Sequence, residues 1–337
     1  MKFASDTASS VHPKVLEAIT LANAATVASY GADDWTKKAE AMLSDLFEAP
    51  LRASFVSSGT ASNALALATL CPPTGGIIAH PQAHINCDER GAVEFYSAGA
   101  KILPVAGDHG RINPALLDEM LQKVDENFVH AIPPKALCLS NLTEAGTGYS
   151  PAQVASLSGL AKAKGLGVHM DGARLANALA FYRVRPADIT WASGVDILSF
   201  GLSKTGAMAA ETILLFSEHI EQFEQLEARR KRGGHMPPKQ RFVAAQVIAM
   251  LENDLWLETA SHANLMAQKL ETGLQNAGIT ILHPVEGNEV FARLSLQQTS
   301  HLQENGAAFY AWPDGSVRFV TSWNTSLAQI EQLLVLL

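Results

Sequence analysis

Residues 168–178 read VHMDGARLANA, an apolar run that ends on an acid, turns through Gly-Ala and an arginine, and enters a helix-like stretch. A strand that hands the chain to a helix over a few residues is the repeating unit of a wound α/β sheet. The same pattern extends to either side. Ser54 to Ser57 is a short apolar run that passes through Ser58-Gly59-Thr60 into ASNALALATL. Gly76–His80, Lys101–Pro104, the ALCLSN run at 136–141 and DILSF at 196–200 read as further strands. Asn113-Pro114 and Ser150-Pro151 pair a capping side chain with a proline suited to the first helical position, and Lys164-Gly165 supplies a left-handed stop. Strands and helices alternating at this length predict a mostly parallel sheet with right-handed crossovers and helices on both faces.

The pattern changes after about residue 217. Ser217 to Arg232 reads as one long polar helix, and Gln240 to about Gly278 as two more. ITILHPV, EVFARLS and SVRFVTSW then follow as strand-like runs, with TSLAQIEQLLVLL as a final helix. The expected organisation is an arm at 1–14, a large α/β domain at 15–250 and a small α+β domain at 251–337. The 337 residues are 47% hydrophobic and 17% charged, which excludes disorder. A formal charge of −8 argues against nucleic acid or an anionic membrane as partner. Three widely spaced cysteines, an amino terminus without an apolar signal core and no run of membrane-spanning length point to the cytoplasm.

Ligands in open α/β sheets sit beyond the carboxyl ends of the strands. Five polar clusters fall there: Ser57 to Thr60, His80 to His84, Asn141 to Glu144, Asp171 to Arg174, and Ser203-Lys204. The first places hydroxyls and a glycine at a strand-to-helix turn, which on this motif alone reads first as an ordinary capped turn and second as an anion site for phosphate. It is neither a P-loop nor a dinucleotide fingerprint. Asp171, at the floor of a crevice, needs a cation, and either a protonated pyridine nitrogen or Arg174 would serve. Lys204 reads by default as a solvated charge, but its place just past a strand among small residues pulls toward a Schiff-base lysine. His80, His84 and Cys87 keep a zinc reading open through their H-x3-H-x2-C spacing, although no second Cys or His pair completes it. His84 otherwise suits ring stacking or proton transfer. The run Arg229–Arg232 reads as a solvated helix terminus or a phosphate-binding arm, and Tyr30 as a loop residue or a site element.

Taken together, SDTASSVHP (5–13), YGADDWT (30–36), SSGTASNALAL (57–67), AHPQAHINCDE (79–89), SNLTEAGTGYS (140–150), HMDGARLANA (169–178), SFGLSK (199–204) and VRFVTSW (317–323) resemble the threonine aldolases, closest to their low-specificity and phenylserine-cleaving branch. The resemblance runs from Ser5 to Trp323. It implies a fold type I enzyme dependent on pyridoxal 5'-phosphate, acting on a small β-hydroxy amino acid and assembled as a dimer or tetramer. Lys204 would carry the cofactor, Asp171 would pair with its ring nitrogen and His84 would stack on the ring. Ser58, Gly59 and Thr60 would bind its phosphate, helped by Arg232. Ser5, Arg174 and Arg318 would grip the substrate carboxylate, with Tyr30 contributed by a neighbouring subunit, and no metal is implied. Many family members carry Asn-Thr-His where this chain has Asn141-Leu142-Thr143-Glu144, so a proton-transfer histidine is missing there.

Overall fold

The apolar runs do not alternate because the strands they form are covered on both faces. The computed structural model describes residues 1–125 and 128–337. Seven strands make the main sheet: β1 (Leu51–Val56), β2 (Gly76–Ala79), β3 (Lys101–Pro104), β4 (Pro134–Ser140), β5 (Gly167–Gly172), β6 (Ile197–Gly201) and β7 (Glu211–Phe216). Their order is β1-β7-β6-β5-β4-β2-β3. The pairs from β3 across to β6 are parallel, and β7 runs against both β1 and β6. Every residue of β6 and β7 is buried. The sheet is thus mostly parallel, as expected, but the antiparallel β7 was not among the strands read from the sequence.

The helix starts follow their capping chemistry. Ser58 Oγ accepts from Ala61 N–H at the head of the helix Gly59–Leu70. Asn113 Oδ1 accepts from Ala115 N–H ahead of Pro114–Gln122, and Ser150 and Gln153 form a capping box ahead of Pro151–Lys162. The single polar helix expected over 217–232 is instead two pieces, a 3₁₀ stretch Ser217–Gln222 and an α-helix Phe223–Arg232. Ser217 leaves β7 at φ 53°, and no side chain caps the first turn, so the α-helix starts only where Phe223 and Leu226 find the core.

The last quarter forms a second, antiparallel sheet of β8 (Thr280–Ile281), β9 (Glu289–Arg293), β10 (Tyr310–Ala311) and β11 (Ser316–Val320), in the order β10-β11-β9-β8. Its helix Leu296–Glu304, capped by Ser295 and Gln298, was not in the sequence reading. The helix Leu255–Asn276 joins the two halves: Trp256 and Ala260 belong to the main core, Met266, Leu270 and Leu274 to the second. The amino-terminal arm is sewn to the small sheet. Phe3 donates its N–H to Ala308 O, accepts from Val320 N–H, and buries its ring against Phe319.

Gly172 closes β5 directly after Asp171. A Cβ there would stand 2.7 Å from Ser199 O and 2.8 Å from Leu198 Cδ1 on β6. Gly172→Ala is expected to force the two strands apart and cost about 1–3 kcal/mol, seen as a lowered urea midpoint at unchanged slope.

Candidate active site

All five strand-end clusters open onto one cavity of about 1370 Å³ between the main sheet and the small one. Ser57 to Thr60, His84, Leu142 to Ala145, Asp171, Arg174, Ser203 and Lys204 line it from the large side, with Glu289, Phe291 and Arg318 from the small sheet. Thr7, Ser9 and Val11 of the arm complete the wall. Lys204 sits on the 3₁₀ turn Ser203–Thr205 between β6 and β7. Ser203 Oγ accepts from Ala210 N–H, and Gln246 Oε1 accepts from Met208 and Ala209 N–H, so the turn that carries the lysine is held from two sides.

Asp171 ends its strand buried. Its Oδ1 accepts from Ala173 N–H at 3.0 Å and its Oδ2 from Asn63 Nδ2 at 2.8 Å. Burial alone would push this carboxyl up, but the Lys204 charge and these donors hold it below the usual carboxylate range. Asn63 Nδ2 donates to Glu89 Oε1 as well, at 2.8 Å, and Glu89 Oε1 lies 2.9 Å from His84 Nδ1. The Glu89 bond outweighs burial and raises the His84 pKa. Behind Asp171, His169 joins Cys138 Sγ and Ser199 Oγ, and burial lowers its pKa to about 4, so it is a neutral connector. Glu144 Oε1 accepts from His84 N–H at 2.7 Å and from Ser140 Oγ at 3.1 Å.

The residues expected to bind a carboxylate are already engaged in this structure. Arg174 is not a free clamp: its Nε and Nη2 bond Asp6 Oδ2 and Oδ1 at 2.8 and 3.2 Å, and Nη1 lies 3.4 Å from Glu289 Oε2. Arg318 Nη1 lies 3.5 Å from Glu289 Oε1, with its guanidinium 4.9 Å above the Tyr310 ring. Ser5 does not line the cavity; its Oγ is engaged by Thr7, and its neighbour Asp6 makes the connection instead. Tyr30 and Arg232 lie outside the cavity too. Tyr30 is 49% exposed with Lys231 Nζ 4.4 Å over its ring, and Arg232 is an exposed helix end. The buried arginine of that run is Arg230, bonded to Glu227, Ser54 and Gln240. The zinc reading loses its geometry: the His80 ring bonds Gly107 O and Gln82 N–H, and among the described residues no three His, Cys, Asp or Glu side chains converge as ligands.

The residues fit a pyridoxal-phosphate-like ligand. A lysine amine and a buried ionised carboxylate line one cavity, together with the N-terminus of a 12-residue helix. At Gly59 nothing stands within 4 Å of where a Cβ would be, which leaves room for an anion at that terminus. The sheet order and this lysine–aspartate pair define the fold type I architecture of pyridoxal-phosphate enzymes. The serine palmitoyltransferase of Sphingomonas wittichii shares the fold, with a TM-score of 0.73 at 18% identity over 100% of this chain and 86% of that one. A family model for beta-eliminating lyases matches residues 2–297. A low specificity L-threonine aldolase of Pseudomonas aeruginosa is 37% identical over 334 residues, 98% of this chain and 95% of its own. The threonine aldolase structure from Leishmania major superimposes with a TM-score of 0.92 at 29% identity, covering 99% of this chain and 98% of that one. The chain belongs to the beta-eliminating lyase family and, within it, to the threonine aldolases.

Two more acids face the cavity, Glu144 and Glu211, and burial pushes each up to about 7. Both hold their protons in the folded chain at pH values where the unfolded chain has lost them. These two acids therefore contribute stability that is lost as pH rises from about 4.5 to about 7, while His169, held neutral by burial, contributes in the opposite direction over part of that window. The aspartates with lowered values titrate below this range. The cofactor-free double variant Glu144→Gln/Glu211→Gln is expected to lose less stability than the unsubstituted protein over that interval, by on the order of 2 kcal/mol, measured by urea unfolding at each pH.

Proposed function

We propose that this protein cleaves L-threonine, L-allo-threonine and related β-hydroxy-α-amino acids such as phenylserine to glycine and an aldehyde, with pyridoxal 5'-phosphate as cofactor. The observation that carries the reading is the shared cavity of Lys204, the buried ionised Asp171 and the N-terminus at Ser58-Gly59-Thr60. When bound, the cofactor supplies the electron sink for carbon–carbon cleavage. Lys204 Nζ is the amine that would hold it covalently. Asp171 would keep a ring nitrogen protonated, at no cost in reorganisation because its donors are already in place. Ser58, Gly59 and Thr60 would take the phosphate, and the half-exposed His84 ring would lie over the cofactor. The substrate carboxylate would enter between Arg174 and Arg318, where the long Glu289 contacts are weak enough to yield while the Asp6 pair stays closed.

Tyr30 and the Arg232 end of its helix share one surface patch through the Lys231–Tyr30 contact. Their role belongs to an assembled dimer or tetramer, in which they would complete the site of a second copy. A reducing, cytoplasmic setting suits Cys71, Cys87 and Cys138, all free thiols. No described helix is long and apolar enough to cross a membrane. The family name favours one competing reading, β-elimination, in which ammonia and a keto acid appear in place of glycine and aldehyde.

The purified protein is expected to be yellow and to release glycine and acetaldehyde in equal amounts from threonine. Borohydride should fix the chromophore to the peptide containing Lys204. Lys204→Ala should lose that label and at least about 1000-fold in turnover, measured free of host aldolase; full activity in Lys204→Ala would sink the assignment. A second expectation concerns Glu289. Glu289→Gln removes the anion that competes for both arginines and should lower the substrate KM by about 3- to 10-fold, with steady-state kinetics as the check.

A further inference from the structure

His84 is gripped at two points by two different acids. Glu144 takes its backbone N–H, and Glu89, whose side chain is wholly buried, takes ring Nδ1. Ring Nε2 has no partner among the described residues and is not sealed, on a side chain 42% exposed in the cavity wall. Asn63 decides which ring nitrogen carries the hydrogen. Its Nδ2 faces Glu89 Oε1 and Asp171 Oδ2, both at 2.8 Å, and with the amide flipped its oxygen would face two carboxylates. The amide is therefore the donor to both. Glu89 Oε1, already accepting from Asn63, accepts from His84 Nδ1–H as well, which leaves the lone pair on Nε2.

We infer that Glu89 is a positioning residue for the cleavage proposed above: it holds His84 as the Nδ1–H tautomer, so that Nε2 takes the proton of the substrate β-hydroxyl, and Asn63 ties this dyad to Asp171. The inference rests on the lyase reading for its substrate but on geometry for the dyad. As the Cα–Cβ bond breaks, the electron pair of the hydroxyl O–H bond becomes the second C–O bond of the aldehyde. The proton moves to Nε2, and the Cα–Cβ pair stays on the Cα side. Return of a proton to Cα completes glycine, so substrate atoms and charges are all accounted for in the two products. The imidazolium formed in between sits against Glu89, as the histidine of a Ser-His-Asp triad sits against its aspartate. The raised pKa of His84 fits this arrangement. Glu89 and Asp171 favour its cation, burial and Lys204 oppose it, and Glu144 faces its backbone; burial raises Glu89 as well, against the His84 and Asn63 bonds that favour its anion.

The test uses Glu89→Gln, His84→Asn and the double variant. With Glu89→Gln, kcat is expected to fall about 10- to 100-fold with little change in KM, and the acid limb of kcat/KM to move down by about one pH unit. In the His84→Asn background the same substitution should have almost no further effect. A second readout needs neither cofactor nor turnover. In apo protein labelled with ¹⁵N-histidine, the His84 signals, identified by their loss in His84→Asn, should show the Nδ1–H tautomer at high pH and titrate lower in Glu89→Gln. An unmoved acid limb, an equal loss in both backgrounds, or an Nε2–H tautomer in the unsubstituted protein would each overturn the inference. Should Glu89→Gln fail to fold, the tautomer in the unsubstituted protein still decides. If the unsubstituted protein releases no aldehyde, the lyase reading falls, while the dyad stands or falls on the NMR titration.

Discussion

A carboxylate is held ionised at the buried end of a strand, and much of the structure exists to make that tolerable. Asp171 stands on β5, in the middle of a seven-stranded sheet, where burial favours its neutral form. Leaving such a charge unpaired costs several kcal/mol, more than one ordinary hydrogen bond returns. The fold meets the cost with two donors and a charge: the turn at Ala173, the helix beyond β1 through Asn63, and the positive charge of the lysine beyond β6. Each of these needs its own support. Asn63 is placed by a helix whose residues 61–69 are all buried, and Lys204 by a turn pinned through Gln246 and Ser203. The main sheet is thus less a container for the site than the frame that makes one buried charge permanent.

A second set of charges closes the molecule. Arg174 follows Asp171 by three residues, yet its guanidinium points to the arm at Asp6 and the small sheet at Glu289. Asp6 also accepts from Asn288 Nδ2, so a single buried carboxylate draws together residues at opposite ends of the chain. Two arginines and two acids sum to zero there. The asymmetry lies in geometry: the Asp6 pair is short and two-pronged, the Glu289 contacts long and single. An incoming carboxylate would meet one firm anchor and one replaceable one.

Most of the frame was legible in the sequence. The strand-to-helix turns carry their own capping residues, and the groups at the strand ends, among them His84, Asp171 and Lys204, fall where an α/β crevice requires them. What was hidden follows a physical rule. Asn63 lay inside a quoted motif, but its neighbours in ASNALALATL mark a core helix, and only the fold shows one amide meeting two carboxylates. Glu144 fell within a strand-end cluster and Glu89 within a quoted motif, but neither had a role there; burial and their partners make them part of the site. β7 was passed over because ETILLF follows the lysine turn without the proline or glycine spacing that marked the other strands. Ser5, expected at the substrate carboxylate, meets Thr7 in this structure, and it is its neighbour Asp6 whose side chain reaches Arg174. Arg232 and Tyr30 face outward, and nothing in the pattern of one chain tells whether an exposed residue meets solvent or a second copy.

The antiparallel strand also explains why the lysine is where it is. In an all-parallel sheet the chain would leave the end of β6 in a long crossover, and a lysine there would sit on a mobile connection. Because β7 returns against β6 after nine residues, Lys204 rides a 3₁₀ turn between two fully buried strands, with Glu211 at the start of the returning one. Burial lifts that acid to about 7, so its carboxylate charge near the amine is only partly developed at neutral pH. The Lys204 charge then acts on Asp171 at the floor and on Asp6 of the arm. The net charge of −8 is no guide to such a pocket. Its chemistry depends on which few acids keep their protons.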